Sequence, residues 1–287
     1  MKKFLTTILI FGMIFNVSAC RRQHAEEQHD TPPHQSGGTE DSGMTKKEGV
    51  TRLVTYNVGV FNKYIEDDYQ LIADMMLEIE ADAVCMNELD SCTTRTKSVY
   101  QLERVSRLLG NWDFAFGAAM PYRGGKYGEG IAMREKAVKK FSIALPKGDG
   151  AEPRVCVVME TPDYVLATTH LDHVSVAAQI PQVQLITEVL KKQYGESGKP
   201  VFIGGDMNAK PDSETIAEFK KDWTILSTTG FGTFPSDSPR SCIDYIMQLK
   251  NGVSCEVVGT QVLRSFKSGD VAKASDHLPV MVDVKIK

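Results

Sequence analysis

Short apolar runs that end in polar side chains recur along this chain, and they constrain its fold more than any other feature. An apolar run of about four to eight residues is typical of a buried strand. A charged or amide group at the end of such a strand must be paired, hydrated or bound to a metal ion, because burying it alone is costly. Residues of this kind are Asn57, Asn87, Glu88, His170, Asp206, Asn208, Asp244, Asp276 and His277. Taken singly, each is better explained as a turn or cap residue, but together they predict one shared site.

The remaining hydrophobic pattern alternates strands with helices from residue 50 to residue 287. Strands are predicted over residues 51–58, 83–88, 113–119, 128–133, 137–145, 154–161, 164–170, 201–205, 242–249, 255–263 and 280–286. Helices are predicted after Asp67 or Asp68, over residues 99–109, over residues 175–193, and after Asp212 or Ser213. Pro181 indicates that the third helix starts late or is kinked. Two similar halves of this kind predict an α+β fold in which two mixed sheets pack face to face with helices outside.

The first part of the chain is typical of a bacterial secretion signal. Lys2 precedes an apolar run over residues 4–17 that is too short to span a bilayer comfortably. Small residues lead directly to Cys20, and this string resembles a lipobox, which predicts a signal peptide over residues 1–19 and a lipidated Cys20. The alternative is an ordinary cleaved signal with a chance cysteine. Arg21 after the cysteine is compatible with sorting to the outer membrane or the cell surface.

Residues 20–49 are predicted to be a disordered tether between the lipid and a folded domain. They contain almost no large apolar side chain, so they cannot bury enough surface to fold. His24, His29 and His34 could instead form a metal-binding tract, but their irregular spacing favours a solvated linker. A single folded domain is therefore expected over residues 50–287.

The six cysteines do not form a recognisable metal motif, because no Cys-x-x-Cys pair occurs. Cys85 and Cys156 lie in apolar runs and are predicted to be buried in the core. Cys92 and Cys242 flank the predicted site, and whether they pair in an oxidising compartment stays open at this point.

The residue types at the strand ends predict metal-assisted chemistry. Carboxylate and amide oxygens without cysteine or closely spaced histidine ligands favour Mg²⁺ or Mn²⁺ over Zn²⁺. Histidines move protons near neutral pH. The chain has no Gly-x-Ser-x-Gly string and no Walker loop. A hard metal, carboxylates and two histidines suit the hydrolysis of a phosphate ester by water.

Seven short strings occur along the predicted domain in the order found in one protein family. They are Thr55-Tyr56-Asn57-Val58, Asn87-Glu88-Leu89-Asp90, Tyr127-Gly128-Glu129-Gly130-Ile131, Thr169-His170-Leu171-Asp172, Gly204-Gly205-Asp206-Met207-Asn208, Ile243-Asp244-Tyr245-Ile246 and Ser275-Asp276-His277-Leu278-Pro279-Val280. By these strings the chain resembles the endonuclease/exonuclease/phosphatase (DNase I-like) superfamily, which includes DNase I, apurinic endonucleases, inositol polyphosphate phosphatases and neutral sphingomyelinases. The resemblance implies a four-layer αββα sandwich with its active site at one end of the two sheets.

The resemblance also implies which residues bind the metal ion. Glu88 would be the principal ligand of Mg²⁺ (or Mn²⁺), helped by Asn57 and Asp276.

Catalytic roles follow from the same resemblance. Asp206 would orient or deprotonate the attacking water, and Asn208 would hold a phosphate oxygen. His277 would contact the phosphate while Asp244 holds its ring. His170 would stabilise the phosphate or protonate the leaving oxygen.

Two further residues are candidates for the neighbourhood of the substrate phosphate. Asp172 lies two positions after His170, on the same face if the strand continues, so it could orient that histidine. The alternative is a plain loop carboxylate. Arg154 could reach a phosphate oxygen with its fork of donors, or it could form a surface ion pair. His173 has no such support and is interpreted as a surface residue.

Substrate identity is the least constrained part of the prediction. Loops over residues 90–98 and 121–126 place basic and hydroxyl groups near the expected mouth, which suits an anionic substrate. The net charge of −4 gives no sign of the basic face that a DNA-tracking nuclease carries. The leading prediction is a monomeric phosphodiesterase or phosphatase acting outside the cytoplasm. The alternatives are an extracellular endonuclease that degrades DNA or RNA, and an inactive surface-binding lipoprotein.

Overall fold

The computed structural model describes residues 45–148 and 152–286. The predicted signal peptide, Cys20 and most of the predicted tether lie outside the described residues, so these three statements stay predictions. None of the described helices combines the length and apolar character needed to cross a membrane.

Twelve strands and five α-helices make up the described part of the chain. The strands are β1 (Thr51–Asn57), β2 (Ala83–Ser91), β3 (Asp113–Tyr122), β4 (Gly125–Met133), β5 (Lys139–Ala144), β6 (Val155–Glu160), β7 (Val165–Thr169), β8 (Val201–Asp206), β9 (Trp223–Ile225), β10 (Asp244–Leu249), β11 (Glu256–Val262) and β12 (Val280–Lys285). The helices are α1 (Tyr69–Glu78), α2 (Gln101–Leu108), α3 (Val176–Tyr194), α4 (Glu214–Asp222) and α5 (Val271–Ala274).

Two helix starts can be compared with the sequence prediction. Helix α4 begins after Ser213, whose hydroxyl accepts a hydrogen bond from the backbone N–H of Ile216 at 3.3 Å, as expected of an N-cap. Helix α3 begins at Val176 and continues through Pro181, so the late start allowed by the sequence is not observed.

The strands form two six-stranded sheets with the same internal plan. The first sheet has the order β11-β12-β1-β2-β4-β3, and the second has the order β5-β6-β7-β8-β10-β9. In each sheet one central pair is parallel, β1 with β2 and β7 with β8, and all other pairs are antiparallel. A parallel pair needs a crossover connection, which α1 supplies in the first half and α3 in the second. The two similar halves predicted from the sequence are therefore present.

Three apolar layers separate the helices and sheets. The layer between the first sheet and its helices includes Val84, Ile72, Met76 and Leu102. The layer between the second sheet and its helices includes Ile203, Val183, Ile186 and Phe219. The layer between the sheets includes Leu53, Cys85, Leu166, Phe202 and Ile246. Helix, sheet, sheet and helix thus form the four-layer αββα sandwich, and the predicted fold class is confirmed.

The two sheets approach closely beside the ends of β7 and β8. A Cβ atom on Gly204 would lie 3.0 Å from the Sγ atom of Cys85 on the opposite sheet. Within the second sheet, a Cβ atom on Gly205 would lie 1.9 Å from the carbonyl oxygen of Thr169 in the neighbouring strand β7. The thiol of Cys85 donates to the carbonyl of Ala167 across the interface at 3.4 Å. The glycine pair therefore sets how tightly β8 packs where the chemical residues begin.

Candidate active site

The carboxyl ends of the four parallel strands meet at one end of the sandwich. Asn57 ends β1, Asp206 ends β8, and His170 directly follows β7. The side-chain amide of Asn57 donates to Asp206 at 3.2 Å, and that of Asn87 in β2 donates to the carbonyl of Thr169 at 3.1 Å. Polar side chains from both sheets are therefore joined here, as the strand-end pattern predicted.

A cavity of about 370 Å³ opens at this end. It is lined by Glu88, Tyr127, Glu152, Arg154, His170, His173, Asp206, Asn208, Phe234, Asp276 and His277. Of the ten residues given a role from the sequence, three do not line it, because Asn57, Asp172 and Asp244 are fully buried; Asn87, which was given no role, is fully buried as well. The remaining seven come together in this one cavity.

Asp206 lies between the two histidines. Its Oδ2 atom is 3.5 Å from Nε2 of His170 and 3.6 Å from Nε2 of His277. Asp244 holds the opposite side of the His277 ring, with 3.0 Å between His277 Nδ1 and Asp244 Oδ2. Asp244 thus holds the imidazole so that its second nitrogen faces the cavity, which agrees with the positioning role implied by the family resemblance.

Burial and charge separate the two histidines electrostatically. Burial lowers the pKa of His277, but the carboxylates of Asp244 and Asp206 outweigh it and raise the pKa to about 10. Burial, together with the charge of Arg154, holds the pKa of His170 well below its usual range. Burial and the charge of Asp244 raise the pKa of Asp206 to about 7. One imidazolium and one neutral imidazole therefore flank a carboxyl group that titrates near neutrality.

Glu129 is a central member of the site that the sequence reasoning missed. Its Oε2 atom accepts hydrogen bonds from Asn87 Nδ2 at 2.9 Å and from the backbone N–H of Glu88 at 3.3 Å. Its Oε1 atom lies 4.0 Å from Nδ1 of His170. Burial raises the pKa of this fully buried carboxyl to about 7. The sequence signal that could have identified Glu129 is the string around it, in which an acidic residue stands between two glycines inside a predicted strand.

A bulge in β2 directs Glu88 toward the cavity. The register between β2 and β4 shifts between Met86 and Leu89, and Glu88 takes a positive φ of 58° there. Such a bulge re-aims one side chain while the strand continues. The carboxylate of Glu88 accepts a hydrogen bond from Asn57 Nδ2 at 3.1 Å.

The predicted metal ligands offer the oxygen chemistry that a hard divalent cation prefers. Glu88 and Asp276 line the cavity with carboxylates, and Asp276 also forms an ion pair with Lys63 at 2.6 Å. Asn57 lies deeper, where its amide oxygen accepts from the backbone N–H of Gly59 at 3.1 Å. Because Asn57 is fully buried and does not line the cavity, Glu88 and Asp276 are the stronger candidates of the three.

A second group of potential ligands lies close by in the described residues. Single ligand atoms of Asp206, Asp244 and His277 all lie within 4.8 Å of one another. Asp244 Oδ1 is buried without a hydrogen-bond partner, a condition that a nearby cation would relieve. The side chains at this end of the sheets therefore fit a divalent cation, and the identity of its ligands stays a prediction.

Arg154 is buried in the cavity wall, with 2% of its surface exposed. Its Nη2 atom is 3.0 Å from Nδ1 of His173 and 3.5 Å from a carboxylate oxygen of Glu152. Its Nε and Nη1 atoms are buried without a partner. The ion pair considered for Arg154 is present with Glu152, but Arg154 lies in the cavity wall and not on the surface. Its remaining unpaired guanidinium donors fit an anion. His173, interpreted as a surface residue, is exposed but also lines the cavity.

Asp172 has a different surrounding from the one expected if it oriented His170. Strand β7 ends at Thr169, so the two residues do not share a strand face. The Oδ1 atom of Asp172 accepts hydrogen bonds from the backbone N–H groups of Val174 at 2.7 Å and Ser175 at 2.9 Å, directly before α3. These contacts support the loop-carboxylate alternative, and Asp172 is corrected to a residue that shapes the turn into the helix.

The ring of Phe234 packs against the ring of His277 with 4.8 Å between centroids, a contact across the fold that no local sequence signal indicated. Cys92 and Cys242 are both free thiols, so the disulfide left open from the sequence is not formed.

The comparison with protein families agrees with this geometry. The sequence profile of the Endonuclease/Exonuclease/phosphatase family matches residues 54–277. The chain belongs to this family. Its members are hydrolases and include phosphatases, which establishes the coarse class of the protein. The match covers every residue of the site described above.

Solved structures share the family's DNase I-like fold. A mannosyl-6-phosphatase of Bacteroides thetaiotaomicron is 20% identical with a TM-score of 0.67, and the match covers 82% of this chain and 99% of that one. The catalytic domain of human Nocturnin is 18% identical with a TM-score of 0.64, covering 84% and 95%. ANGEL2, a 2',3'-cyclic phosphatase, is 12% identical with a TM-score of 0.63, covering 82% and 95%. Among curated proteins, none matches the chain.

Proposed function

We propose that the protein is a divalent-metal-dependent hydrolase of phosphate esters. The observation that carries this proposal is the convergence of Glu88, Arg154, His170, Asp206 and His277 on one cavity of about 370 Å³. These residues are far apart in the sequence, and their shared position has a simple explanation if they act on one anionic group.

The charges of the cavity match the needs of a phosphate. The unpaired Nε and Nη1 atoms of Arg154 can donate to its oxygens, and the imidazolium of His277 adds a second positive donor. Asn208 lines the same cavity and can donate through its amide. A Mg²⁺ or Mn²⁺ ion held by Glu88 and Asp276 would stabilise charge on the phosphoryl oxygens.

Hydrolysis of the ester then requires one proton to be taken up and one to be delivered. The oxygen of a water molecule forms the new bond to phosphorus, and the bond to the ester oxygen breaks. Asp206 accepts a proton from the water, and its pKa of about 7 suits that task. The leaving oxygen takes up a proton and departs as an alcohol. His277 is the protonated histidine of the pair and its Nε2 atom faces the cavity, so it can deliver that proton, while the neutral His170 can only donate a hydrogen bond.

Phosphatase activity is favoured over nuclease activity by two observations. The net charge of −4 gives no sign of the basic face that gripping a nucleic acid backbone requires. Of the similar solved structures, one is named a mannosyl-6-phosphatase and another a 2',3'-cyclic phosphatase. The inactive surface-binding lipoprotein loses support, because a competent side chain stands at each implied catalytic position and these side chains converge.

A direct test uses the chain from Arg21 onward with p-nitrophenyl phosphate, bis-p-nitrophenyl phosphate and plasmid DNA. We expect phosphate ester hydrolysis with Mg²⁺ or Mn²⁺ and none with EDTA. Asp206→Ala and His277→Ala should each lower kcat by about 10²- to 10⁴-fold, the usual worth of a proton-transfer group. The exposed Asp212→Ala is the matched control and should keep full activity.

The outcomes of this assay separate the alternatives. Activity that survives EDTA and both substitutions would disprove the proposed mechanism. Cleavage of plasmid DNA without hydrolysis of either small ester would replace the phosphatase by an endonuclease.

We also propose that the protein acts outside the cytoplasm, held to a membrane by a lipid on Cys20. The support is the signal-like sequence of residues 1–19 and the small residues before the cysteine. Cell fractionation of the full chain and of Cys20→Ser tests this, because the variant should leave the membrane fraction. Unchanged partitioning would contradict the anchor without affecting the proposed chemistry.

A further inference from the structure

A second, smaller cavity of about 110 Å³ adjoins the active-site cavity. It is lined by Glu88, Arg95, Met120, Tyr122, Tyr127 and Glu152. Three of these, Glu88, Tyr127 and Glu152, also line the active-site cavity, so the two spaces share a wall. The second cavity therefore lies next to any group that is bonded to a phosphate in the first.

Arg95 is held in place at this second cavity by buried partners. Its Nε and Nη2 atoms donate to the two carboxylate oxygens of the fully buried Asp90 at 2.7 and 2.9 Å. The hydroxyls of Thr93 and Thr96 also donate to Asp90, at 2.6 and 3.2 Å. Within the described residues, Nη1 of Arg95 makes no hydrogen bond. The guanidinium is thus oriented and charge-balanced, with one nitrogen left for a ligand.

Aromatic rings form the other side of the cavity. The guanidinium carbon of Arg95 lies 4.5 Å from the ring centroid of Tyr122 and 5.5 Å from that of Tyr127. The two tyrosine rings are 6.3 Å apart and tilted by 55°. The backbone N–H of Thr94 donates to the carbonyl of Arg123 at 2.9 Å, which ties the Arg95 loop to the β3–β4 hairpin that carries both rings. The cavity is therefore preformed on rigid elements.

We propose that this second cavity binds a sugar or other polyol whose phosphate group is hydrolysed in the first cavity. The inference rests on the proposed function and names its substrate class. The cavity offers donors from Arg95 and the tyrosine hydroxyls and an acceptor from Glu152, which together suit hydroxyl groups. Tyrosine rings provide the amphipathic faces against which the C–H surface of a sugar packs.

Charge and size exclude other classes of ligand. Asp90 balances Arg95, and Arg154 lies 3.5 Å from Glu152, so the cavity has no excess positive charge for a second phosphate. Its volume of about 110 Å³ corresponds to about four water molecules. That space holds part of a single ring and is too small for an acyl chain or a nucleic acid duplex.

The test compares kcat/KM for a hexose 6-phosphate, a nucleoside 5'-monophosphate and p-nitrophenyl phosphate in the presence of Mg²⁺. We expect the wild-type protein to prefer the hexose phosphate. Tyr122→Ala should reduce the ratio of kcat/KM for the hexose phosphate over that for p-nitrophenyl phosphate by about tenfold, mainly through KM. Tyr122→Phe removes only the hydroxyl, so it should lower the same ratio by less than Tyr122→Ala does. It also keeps the proposal testable if Tyr122→Ala does not fold. The exposed Glu196→Gln serves as a control and should leave the ratio unchanged.

Each outcome decides one of the two proposals. An unchanged ratio in both Tyr122 variants, with p-nitrophenyl phosphate still hydrolysed, overturns the polyol site and leaves the proposed function intact. A preference for the nucleoside monophosphate that Tyr122→Ala abolishes also overturns it, in favour of a nucleobase. If no ester releases phosphate under any metal condition, the proposed function itself is wrong and the inference falls with it.

Discussion

Replacing Arg154 with methionine would separate substrate binding from folding at the active site. Methionine keeps most of the side-chain length and removes the guanidinium charge. In the folded protein Arg154 contacts Glu152 and His173 through one nitrogen, while its Nε and Nη1 atoms are buried without partners. If those two nitrogens bind the substrate phosphate, the substitution should damage catalysis much more than stability.

The expected magnitude follows from the number of unpaired donors. A hydrogen bond to a charged group is worth about 1.5–3 kcal/mol, so two of them to a phosphate are worth about 3–6 kcal/mol. Since about 1.4 kcal/mol corresponds to a tenfold change in rate, kcat/KM should fall by about 10²- to 10⁴-fold. The free energy of unfolding should change by no more than about 1 kcal/mol. The two buried donors of Arg154 lack partners in the folded state, and this cost offsets part of the stabilisation that the rest of the side chain provides.

The assay combines hydrolysis of p-nitrophenyl phosphate with urea unfolding of the same preparations. Arg107→Met is the control, because Arg107 is exposed and pairs with Glu103 on the surface of α2. Arg107→Met should change neither kcat/KM nor the free energy of unfolding appreciably. Arg154→Lys should recover only part of the activity, since a lysine keeps the charge but not the fork of donors. Full activity in Arg154→Met, or a loss of activity matched by a loss of several kcal/mol of stability, would refute the phosphate-binding role.

Three further predictions concern stability. The buried Asp68 has no partner for either carboxylate oxygen, and burial raises its pKa to about 7. Stability should therefore decline as the pH rises from about 4 to 7, and Asp68→Asn should reduce that decline in urea unfolding at successive pH values, while the raised pKa values of Glu129 and Asp206 leave part of it. Arg52→Met should cost about 3–5 kcal/mol by leaving Asp283 buried and unpaired, and the double variant with Asp283→Leu should recover most of that loss. Gly205→Ala should lower the melting temperature and activity together, because its methyl group would lie 1.9 Å from the carbonyl of Thr169; a folded, fully active variant would contradict the packing described.

The strand-end residues of the site could be predicted from the sequence for a physical reason. Val54 and its neighbours form a run apolar enough to be a buried strand, so Asn57 at its end had to lie where the sheet stops. The same reasoning applies to His170 after β7 and to Asp206 at the end of β8. Since parallel neighbours present their carboxyl ends at one edge, the convergence of these residues follows from strand order.

Glu129 and Phe234 could not be found in this way because their roles depend on pairing across the fold. Glu129 lies inside β4, and only the bulge beside it in β2 brings the Glu88 backbone N–H to its carboxylate. Phe234 reaches His277 from a loop whose sequence carries no periodic signal. Register and loop path are non-local properties, so a single chain read in order does not reveal them.

Asp172 shows how a small error in an element boundary changes a functional assignment. The sequence prediction ended this strand at residue 170 and placed Asp172 on the same face as His170 only if the strand continued, but β7 ends at Thr169. A strand alternates faces every residue, so its end decides which side chains are neighbours. The Asp172 carboxylate instead accepts from the backbone N–H groups that precede α3, a local interaction that aspartate commonly makes before a helix.

Buried polar groups are treated in two ways in this fold. At the start of β1, Arg52 is fully buried and makes a bidentate pair with Asp283 at 2.7 Å for each bond. At the active site, buried atoms of Glu129, Arg154 and Asp244 have no partner. Each such atom costs the folded state about 1–3 kcal/mol. Arg52 and Asp283 satisfy each other in the folded chain, whereas the unpaired atoms at the cavity would be satisfied when substrate and cation bind.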